Sequence, residues 1–196
     1  MNMLNSYPVF EPDQVLTNKH LNELFNYLDQ QNRLSRMKLI GSGIVCGLEI
    51  TFTANKSIFI SKGCGLTSQG LLITFCDTEF TDCIPYSVPE QPHDFLFSKQ
   101  CGELNTSDIP FFKQANNDEP FGAIFQLVEN ANENAISLSQ KNDLDTYVVV
   151  LFLETTDERL KHCDTNDCND KGRKINFETN VLLVPKSFFK QRKRSV

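Results

Sequence analysis

The stretch from Ile40 to Ile73, IGSGIVCGLEITFTANKSIFISKGCGLTSQGLLI, leaves this chain few folding choices. Ile44, Cys46, Leu48, Ile50 and Phe52 alternate with Val45, Gly47, Glu49 and Thr51, a period of two that predicts a strand with one apolar face. Ala54-Asn55-Lys56 reads as a hairpin loop. Ser57 to Ser61 reads as the second strand, with Ile58 and Ile60 on one face and Phe59 on the other. Gly63, Gly65 and Gly70 punctuate a tight connection, and Leu71-Leu72-Ile73 opens a third strand that Thr74-Phe75-Cys76 continues. Glycine serves where the backbone needs positive φ or has no room for a Cβ.

Residues before this stretch supply a helix. Pro8 and Pro12 keep residues 1–16 extended, and Thr17 or Asn18 is placed to cap a helix running to about Met37. Leu21, Leu24, Phe25 and Leu28 fall at helical spacing and predict the face that packs on the sheet. Asn22, Glu23, Asn26, Asp29, Gln30 and Arg33 make the other side polar, and Gly41 and Gly43 turn the chain into the sheet. The helix ends on Gln31-Asn32-Arg33-Leu34-Ser35-Arg36. Gln31, Arg33 and Arg36 could grip a partner's backbone or carboxylates; positive charge also suits a helix C-terminus.

Gly43-Ile44-Val45-Cys46-Gly47-Leu48-Glu49-Ile50, followed by Ile58 through Ile73, resembles a β-module of baseplate and tail-fibre-associated proteins in contractile phage tails and bacterial contractile injection systems. In such proteins the module follows a helix with a polar QxRLxR ending, which residues 31–36 match. The resemblance covers residues 9–76, with a weaker echo at 151–184. It marks Gly43, Cys46, Gly47, Gly63, Gly65 and Gly70 as the structural motif. It implies a structural protein that docks on neighbouring subunits, and a structural role for a Cys/Asp loop before the last strand.

Glu79 to Tyr86 reads as a short strand. Residues 87–119 lack periodicity, carry Pro89, Pro92 and Pro110, and read as a long irregular excursion. Its Phe95, Phe97, Phe111 and Phe112 are candidate interface residues. Phe121, Ile124, Phe125 and Val128 predict a short second helix near 120–130, with a further helical turn around Ala135 to Leu138. Thr146 to Glu154 is apolar on both faces and predicts a central strand. Asp157 to Gly172 reads as a loop, and Phe177 to Val184 as the last strand. The fold expected is α+β: an N-terminal amphipathic helix on a mainly antiparallel sheet, with the long insertion and short second helix. It is read as one domain, with core 9–86 and 120–185, excursion 87–119 and basic tail 186–196.

The net charge of −6 includes +5 in the last eleven residues, from Lys186, Lys190, Arg192, Lys193 and Arg194, leaving −11 on residues 1–185. An acidic body argues against nucleic acid as partner. No apolar run reaches the length of about 18 residues that spans a bilayer. The N-terminus lacks the basic and apolar regions of a signal peptide, so the location expected is cytoplasmic, with export only inside an assembled particle. The seven cysteines are then read mostly as reduced core residues.

Three constellations suggest chemistry. His162, Cys163 and Cys168 in HCDTNDCND are metal-ligand types, but zinc wants four ligands and no C-x-x-C occurs. Counted from Asp164, the glycine and glutamate positions of an EF-hand hold Asn169 and Ile175. His20, His93 and His162 could act as bases, yet no nucleophile, metalloprotease or phosphate-loop motif accompanies them. The expectation is therefore no enzyme, no metal and no cofactor. The chain should be a structural component of the baseplate or tail-fibre attachment region of a phage-tail-like contractile injection system. Its partners are then other subunits or further copies of itself. The alternative is a cytosolic small-ligand or metal-binding module using the Cys/Asp loop at 162–170.

Overall fold

The computed structural model describes residues 6–54, 56–86, 124–129, 134–159 and 172–189. The excursion with its four phenylalanines, the loop carrying His162, Cys163 and Cys168, and the tail from residue 190 lie outside them. The fold is α+β, with one α-helix and three antiparallel sheets among the described residues. The chain divides into two compact units, Met1–Ile50 with Ile60–Asp77 and Thr51–Phe59 with Thr78–Val196.

The first unit begins with helix α1, Asn18–Leu39. Thr17 caps it, its hydroxyl accepting from the His20 amide at 3.4 Å. At the other end the amides of Ile40 and Gly41 both reach the Arg36 carbonyl, and Gly41 takes a φ of 90°. The helix is therefore two residues longer than its apolar spacing predicts. Strands β1 (Gly43–Gly47), β4 (Gly63–Leu66) and β5 (Leu72–Phe75) follow as one antiparallel sheet in the order β1-β4-β5.

The predicted first strand, residues 44–52, is in fact two. Gly47 and Leu48 both have a φ of 60°, which breaks the extended backbone. The chain leaves β1 there and forms β2 (Ile50–Phe52) in a different sheet. The expected apolar face is broken with it: Leu48 is buried, whereas Ile44, Cys46, Ile50 and Phe52 are exposed. A second backbone constraint sits beside the break. A Cβ on Gly47 would run into the Lys62 carbonyl oxygen, and one on Gly63 into the Cys46 carbonyl oxygen, so the strands approach as only two glycines permit.

Most of the sheet β2-β3-β6, in which β3 is Ile58–Ile60 and β6 is Thr78–Phe80, belongs to the second unit. Ile58 and Ile60 share a face, as their alternation predicts, and both are fully buried. Ser57 is buried too, its hydroxyl donating to Glu79 while its amide donates to the Thr53 hydroxyl at 3.2 Å.

The larger sheet holds β7 (Asp82–Pro85), β8 (Phe125–Val128), β9 (Ile136–Ser137), β10 (Tyr147–Arg159) and β11 (Arg173–Pro185), in the order β10-β11-β8-β7-β9. Two expectations change here. Residues 125–128 are a strand instead of the short second helix, because Phe125-Gln126-Leu127-Val128 pairs with β7 and β11. Pairing partners on both sides override a helical spacing of only four positions. Among the described residues after β7, helical geometry is confined to 3-10 turns at Leu138–Gln140, Leu144–Thr146 and Lys186–Phe189. The 146–154 run is the edge of the sheet instead of its centre, and it extends to Arg159 opposite β11. Its neighbour β11 is an interior strand, where Asn180 to Val184 are all buried.

Tyr86, Ile124, Leu182, Val184 and Phe188 form the core, with Val150 and Phe152 packed against it. Buried Asn180 is satisfied from both sides, donating to Glu154 at 2.6 Å and accepting from Gln126 at 2.9 Å. Burial, with a smaller contribution from the Glu154 carboxylate, pushes the Tyr86 phenol well above its ordinary value. The unfolded chain ionises this tyrosine near pH 10, and the folded chain resists. Stability from Tyr86 is thus fully present below about pH 10 and is lost as pH rises beyond it. Denaturant titrations between about pH 8 and pH 11 should show falling stability. Tyr86→Phe should flatten part of that fall, the rest coming from Tyr147, which burial also raises. An unchanged slope in Tyr86→Phe would remove the argument.

Candidate functional site

At 100° per residue, α1 has three sides. The first meets the β4–β5 turn, where the Thr67 hydroxyl accepts from Gln69 and Leu71 and Gly70 takes a φ of 76°. Arg33 is buried there, donating Nε to the Gln69 carbonyl at 2.8 Å, with Asp29 3.6 Å from its Nη1. Arg36 Nη1 donates to the Gly70 carbonyl at 3.4 Å. A Cβ on Gly70 would stand 2.5 Å from the Arg33 carbonyl oxygen. The QxRLxR ending and the glycine motif thus form one joint, in which arginines bind the carbonyls of a turn whose glycine lets the helix come close. Gln31 lies half-buried on the flank.

The second side faces the extended N-terminal segment, with the Tyr7 ring 5.1 Å from Tyr27 and Phe10 edge-on to His20 at 6.4 Å. The third side is bare. Leu21 is 52% exposed, Phe25 60%, Leu28 51% and Leu39 84%. Of the predicted packing face, Leu21, Phe25 and Leu28 therefore point outward and Leu24 is half-buried, while polar Gln30 and Arg33 point inward. The physical reason is that the joint to the turn is made by guanidinium hydrogen bonds, which fix the roll of the helix.

The bare side continues past the residues that helical spacing singles out. Leu21, Phe25, Leu28, Asn32, Ser35 and Leu39 follow one another at steps of 4, 3, 4, 3 and 4, and all six are exposed. These are the steps of an a/d heptad seam. Two apolar positions after Leu28 are replaced by Asn32 and Ser35, which hides the repeat from an apolar-only reading.

The motif residue Cys46 and its neighbour Cys64 form a second feature. Cys46 and Cys64 stand directly opposite on β1 and β4, their sulfurs 3.4 Å apart. Cys46 is exposed and Cys64 half-buried, so neither is the core residue expected; Cys76 is exposed as well, and Cys83 is fully buried. The hydrogen bond with Cys46, then desolvation, raises the Cys64 thiol above its ordinary value. Gly65 lies close to the Gly43 carbonyl, where a Cβ would come within 3.1 Å.

In the larger sheet the Lys141 ammonium sits over the Phe125 ring at 3.5 Å and near that of Tyr147 at 4.8 Å. Among the described residues no three His, Cys, Asp or Glu side chains are grouped to hold a metal. Among them, too, no helix is long and apolar enough to cross a membrane. No protein-family model and no curated protein matches the chain.

Proposed function

We propose that the chain is a non-enzymatic structural component that acts by docking within a larger protein assembly. The assembly class is the phage-tail-like contractile injection system, at its baseplate or tail-fibre attachment region. The observation that carries docking is the outward apolar seam of α1: a helix with its polar face inward and its heptad face bare lacks the cover that such a face requires. The likeness of residues 9–76 to a tail-associated module supports the class of assembly.

The first occupant of the seam is the same helix of a second copy, parallel and in register. That alignment sets Leu21, Phe25 and Leu28 against their own counterparts, and Asn32 and Ser35 against theirs. Apolar layers then meet apolar layers and amide meets amide. Antiparallel alignments that match the polar layers leave Leu21 and Phe25 unpartnered. A single Asn at an a position fixes register at a cost in stability, the role assigned here to Asn32.

Sedimentation of the full chain should give a concentration-dependent dimer. Leu21→Glu with Leu28→Glu should return it to monomer without loss of helix signal. Asn32→Leu should tighten association and admit other stoichiometries. A wild-type chain that stays monomeric at every concentration would refute self-pairing. A pull-down from the native cell tests the wider reading: recovery of sheath, tube or baseplate proteins supports it, and a partnerless chain that turns over a small molecule overturns it.

A further inference from the structure

Cys46 of the glycine motif and Cys64, which lies between two of its glycines, are not placed as packing residues. They face each other across one rung of the β1–β4 ladder, at Cys46↔Cys64, immediately after the irregularity between Ile44 and Cys46 and one residue before the Gly47↔Gly63 approach. Opposed residues of an antiparallel pair have Cα atoms about 4.5–5.5 Å apart, inside the range of about 4.4–6.8 Å that a disulfide spans. The sulfurs already touch at 3.4 Å, so bond formation needs side-chain rotation and no refolding. The rung is held in place by the strand pairing, which continues at Gly47↔Gly63. Cys46 is open to solvent, which gives an oxidant access.

We propose that Cys46 and Cys64 form a reversible two-thiol site, oxidised by exchange with a small disulfide of the glutathione type. In the first step the Cys46 thiolate attacks one sulfur of the small disulfide. Its S–S bond breaks, one small thiolate leaves and takes up a proton, and Cys46 carries a mixed disulfide. In the second step Cys64 loses its proton to solvent and its thiolate attacks the Cys46 sulfur. The protein disulfide forms as the second small thiolate departs and is protonated. Two protein thiols lose two electrons in all, and the small disulfide becomes two thiols. The order follows from access and charge: Cys46 is the exposed sulfur, while Cys64 holds its proton against Cys46.

Oxidation would have a defined structural effect. The bond closes an 18-residue separation containing the segment that leaves β1 at Leu48, forms β2 and β3, and returns at Gly63. Both ends of that excursion would be tied at one rung. Closing a loop of this size raises the unfolding temperature by roughly 5 °C or more when geometry is unstrained.

The test incubates the full chain with oxidised and reduced glutathione at set ratios, then blocks free thiols and maps peptides by mass spectrometry. The expected product is a peptide pair linking Cys46 to Cys64, lighter by two hydrogens and restored by reduced glutathione. Cys64→Ser should trap glutathione on Cys46, because the resolving sulfur is gone. Cys46→Ser should react more slowly, because the remaining thiol is the less accessible one with the raised pKa. Recovery of both cysteines fully blocked after treatment with oxidised glutathione alone would overturn the proposal. So would linkage of either one only to Cys76, Cys83 or a cysteine elsewhere in the chain, or equal trapping rates in the two variants.

Discussion

Gly47→Ala should be among the most damaging single-methyl additions in this chain. The residue stands at a φ of 60°, where an L side chain costs about 1–2 kcal/mol. Its new Cβ would also run into the Lys62 carbonyl and approach the Gly63 Cα at 2.9 Å. These are backbone atoms of a paired strand and cannot rotate aside, so overpacking adds about 1–3 kcal/mol. The total expected is about 3 kcal/mol or more of lost stability in the first unit. Gly63→Ala should approach it, through the Cys46 carbonyl and the Leu48 amide at 2.6 Å. Gly41→Ala is the control. It also has positive φ, at 90°, but nothing lies within 4 Å of its Cβ, so only the conformational cost of about 1 kcal/mol remains. Denaturant unfolding of the three variants gives the comparison. Equal losses in Gly47→Ala and Gly41→Ala would show that close strand approach does not hold this region.

The difference between these glycines was only partly legible in the sequence. Spacing marks Gly43, Gly63, Gly65 and Gly70 as turn positions, and the resemblance adds Gly47 to the motif, but neither says which backbone each one meets. Gly47 was the least legible. It sits inside a perfect apolar alternation from Ile44 to Phe52, and alternation assumes an unbroken strand. A left-handed Gly47-Leu48 pair cancels that assumption and sends the two halves to different sheets. Similarly, Phe121 to Val128 carries helical spacing and β-forming residues together, and long-range pairing with β7 and β11 decides between them.

The helix shows the opposite case. Its existence, its Thr17 cap and its glycine stop were all readable, because each depends on residues a few positions apart. Its orientation was not readable. Apolar spacing names an apolar face without saying what covers it, and here Arg33 and Arg36 bond to a turn some 34–36 residues away. The Cys46–Cys64 pairing is hidden for the same reason, since it depends on the register of two strands across a detour through another sheet.

Leu182→Ala and Leu28→Ala turn this contrast into numbers. Both remove the same three carbons from a leucine. Leu182 is fully buried on β11 within the core of Tyr86, Ile124, Val184 and Phe188. Leu182 itself sits on a strand paired with β10 on one side and β8 on the other, so the backbone around the cavity cannot collapse freely. Such a truncation costs about 2–5 kcal/mol, and the upper half of that range is expected here. Leu28 lies on the bare seam of α1 with half its surface already in water. Its truncation removes little burial and replaces leucine with the better helix former, so the monomer should change by less than about 1 kcal/mol. The two variants should also separate by what they disturb. Leu182→Ala should lower the unfolding midpoint at every protein concentration. Leu28→Ala should act only where copies associate, weakening the dimer and lowering the midpoint mainly at high concentration. If Leu28→Ala instead destabilises a dilute monomer as much as Leu182→Ala does, the seam is covered within the chain itself, and the self-pairing proposal falls with it.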